Sequence, residues 1–499
     1  MNSRFTSFGL LLSSAYSLSV TVLAANPVNF ILLMGDDHGW EETSYYNHPY
    51  VKTPVIDEMA SRGLRFDYFY SAHSSCSPTR GSVLTGRHPN RYGTFNPGYS
   101  IRPEEITIAH LLSLKGYRCG HFGKWHLGPV KNTSPTNPEA MGFDDYVSHD
   151  NFFEMDPPLS RQGGPPEIIE GESSAIVVDE ALQFIASAEA DDSPFLAVLW
   201  FGSPHEPYSG LPEDLALYDN LPEELSKREV SLTSNETGKR VKRPLKEVLR
   251  ERYAEITAMD RAIGTLRKAL REKGLHQNTL VWFCSDNGTP PSAPLATPFR
   301  GQKGQLFEGG IRVPGIIEWP ARITEPRITE MMAVTSDILP TLCDIAEVSL
   351  PNRPLDGISL LPLIEGGVTE RKEPVGFWHF PRPAPDAKPY IDLELQKGTT
   401  PLVKESGGIL TRNFRNYHHP RIRDLDYKGD RAWVDGVYKL FLSEDKNGTI
   451  KRQLFDLRND IDESNDIANE NSERVKEMAS QLRNWQESVL HSLRGDDYP

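Results

Sequence analysis

Short apolar runs alternate along most of the chain with segments of helical spacing. The runs typical of buried strands are Asn29–Met34, Pro194–Phe201 and Thr279–Cys284, with a weaker one at Tyr117–Phe122. The first is followed by the helix-like segment Pro54–Gly63. Strands that alternate with helices in this way predict a parallel sheet with crossover helices.

Polar or charged residues follow each of these apolar runs immediately. The segments concerned are Gly35-Asp36-Asp37, Gly123-Lys124-Trp125-His126, Ser203-Pro204-His205 and Ser285-Asp286-Asn287. In open α/β sheets, ligands bind at the carboxyl ends of the strands. We therefore expect four strand ends to face one crevice.

The pattern changes after residue 367. A charged run, Glu370–Glu373, and the proline-rich segment Phe380–Lys388 predict a domain boundary near residue 370. Beyond it, Val434–Leu442 and Ile450–Leu457 predict neighbouring antiparallel strands around the turn signal Asn447-Gly448. The segment Ser472–Leu493 has helical spacing.

These patterns predict the fold class and the domains. The fold is expected to be α/β, with a large mixed, mostly parallel sheet sandwiched by helices. A smaller C-terminal domain of antiparallel strands and a terminal helix should follow. The predicted catalytic domain covers residues 26–370 and the predicted C-terminal subdomain covers residues 371–499.

Length and charge narrow the classes of function. With 499 residues, the chain is long enough for a large α/β domain and a smaller one. Its net charge of −15 argues against a nucleic-acid partner. An acidic protein can still bind an anionic ligand where side chains, helix ends or a metal concentrate positive charge.

The first 25 residues predict a secretory signal. Arg4 precedes the apolar stretch Phe8–Ala25, which is diluted by serines and ends in small residues. An uncleaved anchor helix is the alternative. We expect an exported protein, periplasmic or secreted if bacterial, lysosomal or extracellular if eukaryotic, with no membrane span after signal removal.

The strongest local motif is Cys76-Ser77-Pro78-Thr79-Arg80, which continues to Thr85-Gly86-Arg87. Ser77 is a good N-cap and Pro78 suits the first helical position. Cys76 is therefore expected just ahead of a helix N-terminus, where backbone donors favour an anion and would activate a thiol. Taken alone, the motif also fits a buried cysteine before an ordinary helix.

This motif resembles the signature of the formylglycine-dependent type I sulfatases of the alkaline phosphatase superfamily, Cys-x-Pro-x-Arg followed by Thr-Gly-Arg. The resemblance continues in order along the chain. Its further segments are Leu33–Asp37, Thr53–Asp57, Gly123–Gly128, Pro204–Pro207, Ser285–Gly288, and Lys303-Gly304 leading to Glu308–Pro314.

The resemblance implies how the site would work. A separate formylglycine-generating maturation enzyme would oxidise Cys76 to an aldehyde, 3-oxoalanine, whose hydrate is the nucleophile. Asp286 would take the proton of the attacking hydroxyl, and His205 and Lys303 would assist the leaving alcohol oxygen. His126 would then remove the proton of the remaining hydroxyl, so that sulfate leaves by C–O cleavage.

The residues themselves support a metal and an anion site. Asp36, Asp37, Asp286 and Asn287 offer only oxygen ligands, which suit Ca²⁺ or Mg²⁺ better than Zn²⁺. By the resemblance, the modified Cys76 joins this ligand set, and calcium is the usual ion. Taken singly, each acidic pair also fits a turn or a helix cap.

Cations and histidines complete the predicted site. Arg80, Lys124 and Lys303 are expected to surround a tetrahedral anion. His126 and His205 are the expected proton carriers, because histidine titrates near neutral pH. His38 and His73, although they lie beside motifs, are expected to be ordinary packed residues.

The function expected is hydrolysis of a sulfate ester, with a sulfated carbohydrate as substrate. Candidate substrate contacts near the second domain, which also fit a packed or solvated loop, are Trp378, His379, Arg382, His418, His419, Arg421 and Arg423. One alternative is a phosphonate or phosphate monoester hydrolase of the same superfamily. Another is an inactive secreted glycan-binding protein whose Cys76 is never converted.

Overall fold

The computed structural model describes residues 26–498 except 235–236, 294–296, 382–386, 407 and 446. The predicted signal segment 1–25 and the candidate contact Arg382 lie outside the described residues. Among the helices described, none is long and apolar enough to span a membrane.

The described strands are numbered here in chain order. They are β1 (Asn29–Gly35), β2 (Leu64–Phe66), β3 (Phe69–Tyr70), β4 (Arg118–Lys124), β5 (Asp145–His149), β6 (Pro158–Arg161), β7 (Glu167–Ile168), β8 (Phe195–Trp200), β9 (Glu229–Thr233), β10 (Arg240–Pro244), β11 (Thr279–Ser285), β12 (Gly315–Glu318), β13 (Arg327–Thr329), β14 (Ala333–Val334), β15 (Val375–Trp378), β16 (Glu405–Ser406), β17 (Ile409–Leu410), β18 (Arg431–Asp435), β19 (Tyr438–Glu444) and β20 (Ile450–Asp456).

The described α-helices are numbered in the same way. They are α1 (Pro54–Arg62), α2 (Cys76–Thr85), α3 (Ile108–Ser113), α4 (Ser173–Ala190), α5 (Pro212–Ala216), α6 (Leu245–Glu272), α7 (Glu308–Ile311), α8 (Ile338–Ile345), α9 (Leu361–Ile364) and α10 (Ser472–Arg494).

The large sheet has the strand order β13-β2-β12-β11-β1-β8-β4-β5-β6-β7. Its centre, from β11 to β5, is parallel, whereas β12 and β6 run antiparallel to their neighbours. All residues of β1, β8 and β11 are buried, because helices cover both faces of the sheet. The predicted mixed, mostly parallel sheet is confirmed.

Alternate residues of the central strands enter different cores. Ile31 and Leu33 of β1 pack with the inner faces of α1, α4 and α6. Leu32 and Met34 pack on the other side with α2, α3 and α8. This two-sided burial explains why the central strands appear in the sequence as continuous apolar runs.

The C-terminal region contains a second, antiparallel sheet in the order β15-β18-β19-β20. One face of α10, with Val475, Met478 and Leu482, packs on it. The predicted antiparallel pairing of Val434–Leu442 with Ile450–Leu457 is confirmed by β19 and β20. The predicted start at Val434 is wrong, since the chain turns at Gly436 (φ 58°) and Val434 belongs to the end of β18. The apolar pattern runs through this tight turn and so conceals it.

A long segment between β15 and β18 crosses the carboxyl end of the large sheet. We call residues 389–430 the strap. Asp150, after β5, accepts hydrogen bonds from the backbone N–H groups of Thr399 and Thr400 at 2.7 and 2.8 Å. Arg415 N donates to Gly98 O at 3.0 Å. The strap therefore brings C-terminal residues to the edge where the parallel strands end.

Candidate active site

The parallel strands β11, β1, β8 and β4 are neighbours, so their carboxyl ends lie side by side. Backbone hydrogen bonds join the residues that follow them. Asp36 N donates to Ser203 O at 2.9 Å, and Asp286 N donates to Gly35 O at 3.2 Å. Segments far apart in the sequence thus form one buried crevice, as expected from the polar residues at the strand ends.

Cys76 lies at the centre of this crevice and is itself the first residue of α2. The helix begins two residues earlier than expected, because Ser75 is the extended N-cap and Ser77 is inside the helix. The prediction of Ser77 as N-cap is therefore wrong. Its hydroxyl is buried without a hydrogen-bond partner among the described residues.

The side chain of Cys76 points at two carboxylates. Its Sγ lies 3.6 Å from Asp36 Oδ1 and 3.9 Å from Asp37 Oδ1. Burial, with the negative charge of Asp286, raises the pKa of the thiol above its ordinary value. The expectation of an activated thiol is thus wrong, since desolvation and nearby carboxylates outweigh the helix N-terminus.

Two lysines neutralise the carboxylates beside Cys76. Lys124 Nζ lies 2.5 Å from Asp36 Oδ2, and Lys303 Nζ lies 2.5 Å from Asp37 Oδ1. Burial raises the pKa of Asp36 to about 7 in spite of Lys124. Burial would also raise the pKa of Asp37, but Lys303 and Lys124 hold it below its ordinary value.

Arg80, one turn into α2, is completely buried. Its Nη2 and Nε donate to Asp286 Oδ2 at 2.7 and 3.1 Å, and its Nη1 donates to Lys124 O at 3.2 Å. The guanidinium also lies over the ring of Trp200, 5.1 Å from its centroid. Arg80 therefore links the ends of β4 and β11 to the helix that begins at Cys76.

Lys303 is carried by a loop held in place by backbone contacts. Its N–H donates to Thr289 O at 3.0 Å, and Gly304 N donates to Ser74 O at 2.8 Å. The Lys303 side chain is about 20% exposed. It therefore lies where the crevice opens.

His205 lies beside Asp37, with Nε2 3.7 Å from Oδ2. Its Nδ1 donates to Glu206 O at 2.5 Å, so Nε2 is the nitrogen that faces the crevice. Phe152 stacks on the ring at 4.7 Å. Burial, followed by the charge of Lys303, lowers the pKa of His205 well below its ordinary value.

His126 is buried in the left-handed backbone conformation, with φ of 56°. Neither ring nitrogen has a hydrogen-bond partner among the described residues. Burial and the charges of Lys124 and Arg80 lower its pKa well below the ordinary value. Such a strained residue with free nitrogens is typical of a functional position.

The donor set fits a hard divalent cation. Carboxylate oxygens of Asp36 and Asp37, Sγ of Cys76 and a ring nitrogen of His205 lie within 4.8 Å of one another. Asn287 Nδ2 donates to Asp37 Oδ1 at 2.8 Å, while its buried Oδ1 has no partner among the described residues. Asp286 Oδ1 accepts a hydrogen bond from Asp37 N at 3.0 Å, so the pair Asp36-Asp37 and the pair Asp286-Asn287 lie side by side.

The charges of the crevice balance without a cation. Three carboxylates are paired with three basic side chains, and these residues are Asp36, Asp37, Asp286, Arg80, Lys124 and Lys303. A divalent cation would leave the site with a net charge of +2. Such a site would attract an anion although the whole protein is acidic.

The candidate substrate contacts fall into two groups. Trp378 is fully buried, donates its indole N–H to Lys428 O at 2.7 Å, and packs with Phe380. It is thus a core residue and does not contact substrate. His418, His419, Arg421 and Arg423 instead line a groove of about 540 Å³ on the strap.

His379 contacts the loop before α2 instead of that groove. Its Nε2 lies 2.8 Å from Ser74 Oγ, and its ring lies 5.0 Å from that of His73. His73 bonds Ser75 Oγ at 2.9 Å, and His38 bonds Glu42 O at 2.7 Å. These contacts give His38 and His73 packing roles, as expected.

Sequence reasoning missed Arg252 of α6. Its fully buried guanidinium donates to Asp37 O at 2.6 Å and to Pro204 O at 2.5 Å, and it pairs with Glu42. It therefore holds together the segments that follow β1 and β8. No local signal reveals it, because its partners are about 50 and 215 residues away.

Comparisons with known proteins agree with this geometry. The sulfatase family model matches residues 28–348. Human arylsulfatase A is 32% identical over 400 residues, which are 72% of this chain and 71% of that protein. The ulvan-active sulfatase of Formosa agariphila is 31% identical over 347 residues, 68% of this chain and 65% of the relative.

The fold of this chain is similar to that of solved structures. The structure of Ps i-CgsB in complex with k-i-k-neocarrahexaose superposes with a TM-score of 0.72 at 22% identity. The match covers 93% of both chains.

Proposed function

Since this chain belongs to the sulfatase family, as a type I sulfatase of the alkaline phosphatase superfamily that hydrolyses sulfuric esters, we propose that its substrate is a sulfated carbohydrate. We further propose that Cys76, converted to formylglycine, is the nucleophile beside a bound Ca²⁺ or Mg²⁺. The observation that carries this proposal is that Cys76 Sγ contacts the carboxylates of Asp36 and Asp37. Each of these carboxylates is paired with a lysine.

The carbohydrate is supported by two of the comparisons. One relative is named for its action on ulvan, and one protein of the same fold was solved with a neocarrahexaose. The alternative of a phosphate or phosphonate monoester hydrolase is not favoured. The matching family model is that of the sulfatases, and both relatives described above, arylsulfatase A and the ulvan-active sulfatase, are sulfatases.

Asp36, Asp37, Asp286 and Asn287 would hold the cation, with the modified Cys76 as a further ligand. When bound, such a cation polarises the sulfate and the nucleophile. This assignment is supported by Asn287 Oδ1, which has no partner in the described part of the chain, and by the position of Asp37 between Lys303 and Asn287.

Conversion of Cys76 to formylglycine would replace a weakly nucleophilic thiol by an aldehyde hydrate. An unmodified thiol with a raised pKa is a poor nucleophile, whereas an aldehyde hydrate offers two hydroxyls, one to attack and one to drive release of sulfate. This step requires a separate formylglycine-generating enzyme.

The positions of the remaining residues suggest a different role in the reaction for each of them. Arg80 and Lys124 hold Asp286 and Asp36 in place, so Asp286 can take the proton of the attacking hydroxyl. Lys303 and His205 Nε2 lie together at Asp37, and from there they would assist the leaving oxygen. His126, whose ring nitrogens have no hydrogen-bond partner within the described ranges, would accept the proton of the second hydroxyl.

We also propose the domain limits 26–370 and 371–499. The start of the small sheet at Val375 supports them, and so does the strap, which brings Phe414 to within 5.9 Å of the His126 ring. The C-terminal subdomain would thus complete the substrate cleft. Export, directed by the predicted signal in residues 1–25, belongs to the same proposal.

The test compares wild type with Cys76→Ala after expression with a formylglycine-generating enzyme. Wild type should hydrolyse aryl and sugar sulfates, and mass spectrometry should find the aldehyde in the Cys76 peptide. Cys76→Ala should keep the fold, by circular dichroism, and lose turnover. Equal turnover in both proteins would refute the nucleophile, and a wild type that is neither converted at Cys76 nor active would favour a glycan-binding protein.

A further inference from the structure

A small chamber lies next to His126, where the strap crosses the strand ends. Its volume is about 70 Å³, and His126, Asn151, Thr411, Asn413 and Arg415 are among the residues that line it. None of the lining residues is acidic. Although the protein has a net charge of −15, the local charge of this chamber therefore favours an anion.

Arg415 has no counterion in this chamber. Its Nε is buried without a hydrogen-bond partner, and no ion pair joins its guanidinium to any carboxylate among the described residues. Other buried arginines near the site are paired, as Arg80 is with Asp286 and Arg252 with Glu42. Arg415 is partly buried, so an anion in the chamber would offset part of the cost of desolvating its guanidinium.

The position of Arg415 is well defined. Its backbone N–H donates to Gly98 O and its carbonyl accepts from Ser100 N, both at 3.0 Å. Its guanidinium lies over the ring of Tyr99, 4.6 Å from the centroid. Little conformational entropy is therefore lost when an anion binds, which favours a specific contact.

We propose that Arg415 binds an anionic group of the sugar that carries the scissile sulfate or of the next sugar. The substrates would then be polyanionic glycans, with either a carboxylate or a second sulfate in the chamber. This inference rests on the proposed function, because it takes the neighbouring crevice as the sulfate site.

The experiment measures kcat/KM for wild type, Arg415→Met and Arg415→Lys. The substrates are 4-nitrophenyl sulfate, a monosulfated neutral disaccharide, a monosulfated disaccharide with a uronate, and a disulfated neutral disaccharide. Arg322→Met is the matched control, since Arg322 is 57% exposed and pairs with Glu365 at the surface.

Arg415→Met should lower kcat/KM for a dianionic disaccharide, relative to 4-nitrophenyl sulfate, by at least about tenfold, mainly through KM. Arg415→Lys should restore part of this ratio and Arg322→Met should leave it unaltered. Loss with the uronate substrate or with the disulfated one identifies which anion is bound. Equal losses on all substrates, or no preference of wild type for a second anion, would overturn the proposal.

Binding separates this inference from the proposed function. In the Cys76→Ala background, calorimetry with both dianionic disaccharides should show weaker binding of at least one of them after Arg415→Met. This holds even if no sulfate ester is turned over, which would count against the proposed function alone. Equal affinities with and without Arg415 would overturn the role of Arg415.

Discussion

Lys439 lies at the junction between the small sheet and the catalytic domain, and its removal should destabilise the protein strongly. Its Nζ is 2.9 Å from Glu308 Oε1 and 2.9 Å from Glu463 Oε1, and all three side chains are completely buried. Glu463 Oε2 also accepts from Glu308 N at 2.7 Å, at the start of α7. Lys439→Met would leave two buried carboxylates without their shared cation.

The magnitude follows from burial. Loss of one partner from a buried ion pair typically costs about 3–5 kcal/mol. Arg312, 3.5 Å from Glu308, offsets part of this cost, and protonation of one carboxyl limits the rest. At about 2.1 cal/mol/K of unfolding entropy per residue, the full cost would lower the Tm of a chain of 499 residues by roughly 3–5 °C, and this range is therefore the upper limit of the expected loss.

The pH dependence provides an independent check. Burial already raises the pKa of Glu463, and loss of Lys439 should raise it further. A carboxyl whose folded pKa is raised binds a proton more tightly than the unfolded chain, so its stabilising contribution falls as the pH rises. The loss of unfolding free energy caused by Lys439→Met should therefore be smaller at pH 5 than at pH 8.

The assay is thermal and urea unfolding of wild type, Lys439→Met and Lys242→Met. Lys242 pairs with Glu229 at 3.5 Å on the surface, where a lost pair costs below about 1 kcal/mol. Adding Glu463→Gln to Lys439→Met should recover part of the stability. If Lys439→Met fell in Tm no more than Lys242→Met, or by the same amount at both pH values, the reasoning would be refuted.

Two further predictions concern the site. Asp286→Ala should lose bound Ca²⁺ or Mg²⁺ and turnover together, because Asp286 is a predicted ligand and also pairs with Arg80; elemental analysis with Lys242→Met as control checks this, and stoichiometric zinc in wild type would contradict it. His205→Ala should slow sugar sulfate hydrolysis far more than aryl sulfate hydrolysis, because a sugar alkoxide needs more help in leaving; equal losses on both substrates would show that His205 does not serve the leaving group.

Local pattern was enough to predict the layout of the catalytic domain. Continuous apolar runs such as Thr279–Cys284 predict strands buried on both faces, because only helices on either side can cover them. Since parallel strands all end at one edge, residues such as Asp36 and Asp286 could be placed together without coordinates. Helical spacing also predicted the two ends of α10 to within one residue, as Ser472–Leu493 against the observed Ser472–Arg494.

The tertiary structure decided what depends on neighbours distant in the sequence. The raised pKa of Cys76 comes from burial and carboxylates of other strands, which no helix-start motif reports. The turn at Gly436 is concealed because apolar spacing continues through it. No local pattern in the sequence distinguishes Arg252 from Arg415. The folded chain places a carboxylate beside Arg252, which holds loops together, and none among the described residues beside Arg415, which is therefore available to bind an anion. Periodicity encodes burial and direction along one element, whereas the pairing of charges is set by which loops meet in space.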